Sequence, residues 1–144
     1  MATVRHILQT KGKSIWSVAP EASVYDALRI MAEKNVGALL VISEGRLAGI
    51  FSERDYARKF ILQGEASQTT AVKDVMTSVV VFVRPEQSIE ECMALMTEKR
   101  IRHLPVFEGG QLAGVISIGD VVKEIISDQQ QTIQHLENYI TGKR

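Results

Sequence analysis

The sequence is poor in everything that staples, anchors or steers a small protein. Its one cysteine, Cys92, cannot form a disulfide within the chain, and no Cys-x-x-Cys or Cys/His spacing surrounds that thiol to suggest zinc or redox chemistry. A reducing, cytoplasmic setting is the expectation. Lys and Arg number 17 and so do Asp and Glu, so no net field gathers nucleic acid or an anionic membrane, and no basic stripe takes its place. Apolar runs are short: Ala38 to Ile42 is as long as any, against the roughly 20 residues of a membrane helix, and Met1 to His6 has no apolar signal core. A soluble chain with no membrane partner is expected. A P-loop GxxxxGK[ST], a Ser/His/Asp or Cys/His nucleophile set and a metal-ligating cluster are missing too, so neither catalytic nor metal residues are assigned. What is present, 45% hydrophobic residues in 144, suffices for the core of one ordinary domain.

Aligned with itself, the chain repeats. Pro20, Glu21, Ser23, Met31, Glu33 and Lys34 match Pro85, Glu86, Ser88, Met96, Glu98 and Lys99 at one constant shift. Without a gap, Leu39, Val41, Gly45, Leu47, Ala48, Gly49, Ser52 and Asp55 then match Leu104, Val106, Gly110, Leu112, Ala113, Gly114, Ser117 and Asp120. A weaker match relates Val4 to Leu8 with Val72 to Met76 as a lead-in to each copy, once three residues around Gly12 are treated as an insertion. The boundaries expected are 1–70 for the first copy with its lead-in and linker, 71–127 for the second, and 128–144 for a tail.

Within each copy the hydrophobic period changes. Ser14 to Val18 and Val79 to Val83 are β-branched or aromatic and predict an opening strand. Ser23 and Ser88 stand as N-caps before apolar stripes at helical spacing, Cys92 lying within the second stripe. Ala38–Ile42 with Leu47–Phe51, and Leu104–Phe107 with Leu112–Ile116, predict hairpins around glycine turns. Ser52 to Leu62 and Ser117 to Ile126 return to helical spacing, and Gln63 to Ala71 links the copies. Each copy is therefore strand, helix, strand, strand, helix, an α/β (α+β) fold. The tail places Ile133, Leu136 and Ile140 at helical spacing; a helix packed on its own domain, or a frayed one, is the plain reading, with a dimer contact as the alternative.

The segments Ile101-Arg102-His103-Leu104-Pro105-Val106 and Leu112-Ala113-Gly114-Val115-Ile116-Ser117-Ile118-Gly119-Asp120 resemble the two signatures of a cystathionine-beta-synthase (CBS) domain. The first copy repeats the second signature from Leu47 to Asp55, but has Leu40 where the family often has proline, which implies a less rigid start to that strand. The resemblance covers nearly the whole chain. It implies two copies paired about a pseudo-twofold axis with two clefts between them, an adenosine ligand there (AMP, ADP, ATP or NAD), no catalytic cofactor, and a homodimer that signals to an effector protein of unknown identity.

The motif suits such a ligand. Ser52 and Ser117 end strands where helices begin, near free backbone N–H groups and the positive helix end that favour phosphate. Asp55 and Asp120 fall in the first turn, where an acceptor-only carboxylate can take both ribose hydroxyl protons. Gly119 allows close backbone approach, whereas Arg54 at the matching position adds a guanidinium for phosphate, with Arg58 one turn on. The geometry of the family then implies Ser52, Arg54, Asp55 and Arg58 opposite Arg102 and His103. The other cleft would join Ser117, Gly119 and Asp120 to Gly37 and Ala38, with Trp16 and Ser17 nearby. Adenine would rest on Ser17 and Val18 or on Val81 and Phe82, and the Asp55 cleft would prefer the more highly phosphorylated ligand.

Each residue also has a plainer role. The serines and aspartates could simply cap helices. His103 and Arg102 could be a surface pair, Trp16 could pack the core, and Arg54, Arg58 and Lys59 could be a solvated helix face. A nucleotide-sensing regulatory module remains the favoured function, and a scaffolding dimer with degenerate ligand sites the runner-up.

Overall fold

The computed structural model describes residues 2–12, 14–60 and 68–142. The chain divides into two compact units, Ile15–Val80 and Met1–Ser14 with Val81–Arg144. Both mix helices with small sheets, in an α+β fold. The division cuts across the sequence repeats: 1–14 joins the second copy, and 71–80 joins the first.

In the unit Ile15–Val80, β1 (Ser17–Val18) is followed by α2 (Val24–Lys34), whose number leaves α1 for the helix Val4–Lys11 of the other unit. Ser23 caps α2, its side chain accepting the Asp26 N–H at 3.0 Å. The hairpin β2 (Ala38–Ser43) and β3 (Arg46–Ser52) turns on Glu44 and Gly45, whose φ of 51° and 75° are the two positive angles a two-residue primed turn demands. Strand order is β1-β2-β3, with β1 parallel to β2. Val24, Ala27 and Met31 of α2 pack on Val41 and Phe51 of the hairpin and on Val72 and Val75. The segment that follows β3 is shorter in α-helix than the spacing predicts: α3 covers only Glu53–Asp55, and Tyr56–Phe60 widens into a π-helical turn. Ile61 and Leu62 of the expected helix, and the linker residues 63–67, lie outside the described residues.

In the other unit, α4 (Ile89–Lys99) is capped by Ser88, which accepts the Glu91 N–H at 3.1 Å. The hairpin β4 (His103–Glu108) and β5 (Gln111–Ser117) turns on Gly109 and Gly110, both at positive φ. The opening strand predicted over Val79 to Val83 is reduced to a single parallel bridge between Val83 and Val106. A missing donor explains the loss. In the first copy the Leu40 N–H reaches the Trp16 carbonyl at 3.2 Å and extends the ladder, whereas the matching residue here, Pro105, has no N–H to give. Leu40 thus adds a bond to its sheet. Helix α1 lies on this unit, burying Val4, Ile7 and Leu8 against Val83, Ile89, Cys92 and Leu104, while Arg5 pairs with Glu86 and Glu108.

The tail is not a separate element. Helix α5 runs unbroken from Ile118 to Thr141. Ile133, Leu136 and Ile140 are exposed on it, which corrects the expectation of a helix packed on its own domain.

The lead-ins dock over matched glycines. A Cβ on Gly49 would sit 2.6 Å from the Thr77 carbonyl oxygen and 2.8 Å from Met76 Sδ, and one on Gly114 would sit 2.7 Å from Leu8 Cδ2. The Thr77 backbone is held in place, donating to the Ile50 carbonyl at 2.8 Å and accepting the Ile50 N–H at 2.9 Å. Gly49→Ala should therefore cost about 1–3 kcal/mol, the range of an overpacked core. Gly114→Ala should cost less, because Leu8 Cδ2 is the end of a side chain that can turn aside. Urea unfolding midpoints of the two variants check this; no loss at Gly49, or a greater one at Gly114, would refute it.

Candidate functional site

The two Ser-x-x-Asp elements fold into the same local device. Ser52 Oγ accepts the Asp55 N–H at 3.2 Å while Asp55 Oδ2 accepts the Ser52 N–H at 3.0 Å. Ser117 Oγ accepts the Asp120 N–H at 3.2 Å while Asp120 Oδ2 accepts the Ser117 N–H at 2.8 Å. Both are reciprocal capping boxes, closed because serine and a carboxylate stand three apart at a helix start. The capping role set beside the ligand role is therefore present in both copies.

What else each aspartate meets separates them. Asp55 Oδ2 also accepts the Ser52 hydroxyl at 3.1 Å, and Oδ1 accepts the Thr77 hydroxyl at 2.9 Å. With 8% of the residue exposed, this carboxylate is committed to the fold. Asp120 Oδ2 instead accepts Lys11 Nζ at 2.7 Å, the same ammonium donating to the Val115 carbonyl at 2.9 Å. Its Oδ1 has no hydrogen-bond partner among the described residues. Burial raises the Asp120 pKa, but the Lys11 and Ser117 hydrogen bonds together outweigh it and hold the carboxyl below its ordinary range.

The surroundings of Asp120 carry most of the polar residues singled out in the second copy. His103 stands directly across the hairpin from Ser117, and the Ile118 N–H at the head of α5 donates to the Arg102 carbonyl at 2.8 Å. Burial first, then the charges of Lys11 and Arg102, lower the His103 pKa against the opposing pull of Asp120, so its imidazole is neutral at pH 7. A Cβ on Gly119 would meet only Ser117 Oγ, at an ordinary 3.6 Å, so packing does not demand glycine there. Val81 packs on the core, while Phe82 is half exposed and edge-on to Phe107, with ring centroids 5.1 Å apart.

The residues of the first copy gather in the other unit. Ala38 pairs across the hairpin with Ser52, and the Glu53 N–H donates to the Gly37 carbonyl at 3.1 Å. Trp16 carries Lys34 Nζ over its ring at 4.5 Å, Ser17 is exposed, and Val18 is buried in the core. Arg58 is exposed on the π-helical turn that follows Arg54. Within a unit, then, each Ser-x-x-Asp stands beside its own copy's strand start, and the pairings implied across copies each draw on both units.

Sequence reasoning missed Lys11 and Thr77. Both belong to lead-ins, and the insertion around Gly12 hides that each lead-in delivers one partner to one aspartate. Because the folded Asp120 pKa is depressed, its stabilising contribution is complete above the ordinary carboxylate pKa and is lost as pH falls through the lower folded value. Lys11→Met should move the Asp120 carboxyl pKa upward, toward its ordinary value, so that this contribution shrinks and its loss is complete at higher pH. Carboxyl carbon NMR titration reads it directly, and an unmoved Asp120 would dismiss Lys11 as its partner.

Among the described residues no helix is long and apolar enough to cross a membrane. Comparison with known proteins finds the CBS domain-containing protein CBSX3, mitochondrial, of Arabidopsis thaliana, 41% identical over 97% of this chain and 72% of that protein. A CBS-domain protein of Burkholderia ambifaria, proposed to act in signal transduction, has a solved structure 53% identical, with a TM-score of 0.86 over 89% of this chain and 96% of its own. The fold is also shared, at 19% identity and a TM-score of 0.77 over 89% and 98% of the two chains, by a CBS domain pair in complex with 5-methylthioadenosine and S-adenosyl-L-methionine. The family model for the CBS domain matches residues 4–61 and again 72–127, and the chain belongs to that family, carrying its domain twice.

Proposed function

We propose that the chain is a regulatory module that binds an adenosine nucleotide (AMP, ADP, ATP or NAD) through the Ser117–Asp120 element and catalyses no reaction. The carrying observation is the open Oδ1 of Asp120, at the head of the 24-residue α5 and beside Lys11. One carboxylate oxygen is free for ribose, while the helix N-terminus and the ammonium favour phosphate. Arg102 and the neutral His103 add a charge and a hydrogen-bonding edge. The adenosine ligands of the fold neighbour support the same ligand class. Binding would favour one conformation of a homodimer, which an effector protein reads. A cytoplasmic or organellar compartment with a reducing poise suits the buried, unpaired Cys92.

A scaffolding reading fits the first copy better than the second. Asp55 has both oxygens engaged and heads a helix of three residues, which supports a structural role for that element.

Thermal melting with AMP, ATP, NAD, GTP and S-adenosylmethionine tests the proposal. A ligand at 100 times its Kd stabilises by about 2.7 kcal/mol, a shift of several degrees. Adenosine ligands should raise the midpoint and GTP should not. Asp120→Ala should abolish the rise, while Asp55→Ala should lower the ligand-free midpoint and keep the rise. No shift with any nucleotide would favour the scaffold; an undiminished shift in Asp120→Ala would remove the site assignment.

A further inference from the structure

Beyond residue 128 helix α5 is exposed on almost every side, and its described residues bury nothing. A helix of Gln, Thr, Asn and Asp with no face covered is marginal in water, since most helical stability comes from packing an apolar stripe. The stripe is there. Val122, Ile126, Ile133, Leu136 and Ile140 fall on one heptad register, and Ile133, Leu136 and Ile140 are 55%, 59% and 80% exposed. With Tyr139 on the flank, these side chains form one continuous exposed apolar face over about five helical turns, the kind of surface that contributes to the roughly 800 Å² each partner gives to a stable interface.

We propose that this stripe pairs with the same stripe of a second copy of the chain, as a parallel two-stranded coiled coil over residues 122–140. Its length and period suit another helix. Its charge does not suit nucleic acid or an anionic surface, because over residues 122–140 the single cation Lys123 stands against Glu124, Asp128 and Glu137. A second copy brings no opposed like charges: the positions flanking the seam pair Ile125 with Gln130 and Thr132 with Glu137. Gln129 decides the direction. It fills the one polar seam position, and only the parallel register sets it against its own copy, where the two amides satisfy each other; the antiparallel register would bury it against Ile133.

The test is cross-linking of the full chain. The native thiol stays silent, because Cys92 is buried and its pKa is pushed up to about 11, first by burial and then by Glu91. Under mild oxidation Leu136→Cys should form a covalent dimer at least roughly tenfold faster than Gln134→Cys, whose side chain points away from the seam. Adding Ile133→Glu to Leu136→Cys should remove that advantage without moving the melting midpoint of the rest of the chain. Equal rates at positions 136 and 134, or an advantage that survives Ile133→Glu, would overturn the proposal.

Discussion

Two glycines in the middle of sheet strands, Gly49 and Gly114, set how near another segment of chain can lie to each hairpin, and the chemistry of both aspartates follows from that distance. Over Gly49 lie Met76 and Thr77, and the Thr77 hydroxyl ends at Asp55. Over Gly114 lies Leu8, and Lys11 at the end of the same helix comes to Asp120. Two capping boxes alike in their own residues are thus completed by different third partners. A neutral hydroxyl in one unit seals the carboxylate into the fold; an ammonium in the other leaves it ionised, partly exposed and paired with a charge that can also attract phosphate.

What the sequence discloses and what it hides divide along the range of the interactions. Ser23 and Ser88 cap their helices, and the turns at Glu44-Gly45 and Gly109-Gly110 close their hairpins, through bonds made within a few residues; such bonds leave spacing as their trace. The docking of the lead-ins leaves none, because Val4 to Leu8 has the same apolar spacing whichever hairpin it covers. Opening strands fall between these cases. Ser14 to Val18 and Val79 to Val83 have the same β-forming composition, yet the number of ladder bonds each can make is decided by Leu40 or Pro105, about two dozen residues on.

The same division runs through the site. Ser117 and Asp120 were legible as a pair because a capping box is written in one turn of chain. The asymmetry expected from Arg54 against Gly119 was a comparison of neighbours within the motif. The larger asymmetry comes from Lys11 against Thr77, which neither motif contains. His103 shows how such a partner acts at a distance: burial, Lys11 and Arg102 together remove its proton at neutral pH, leaving Lys11 to carry the positive charge beside Asp120.

Helix α5 begins at Ile118, directly after the N-cap Ser117 of the capping box, and continues without a break for 24 residues. At 1.5 Å per residue it is a rod of about 36 Å whose first turns are seated on the core through Val121 and Ile125, so a tilt of about 5° at that seat would sweep its far end through about 3 Å. Mechanically it is a pointer. A displacement too small to alter any contact around the capping box is magnified, at Tyr139 and Ile140, to nearly the width of a side chain.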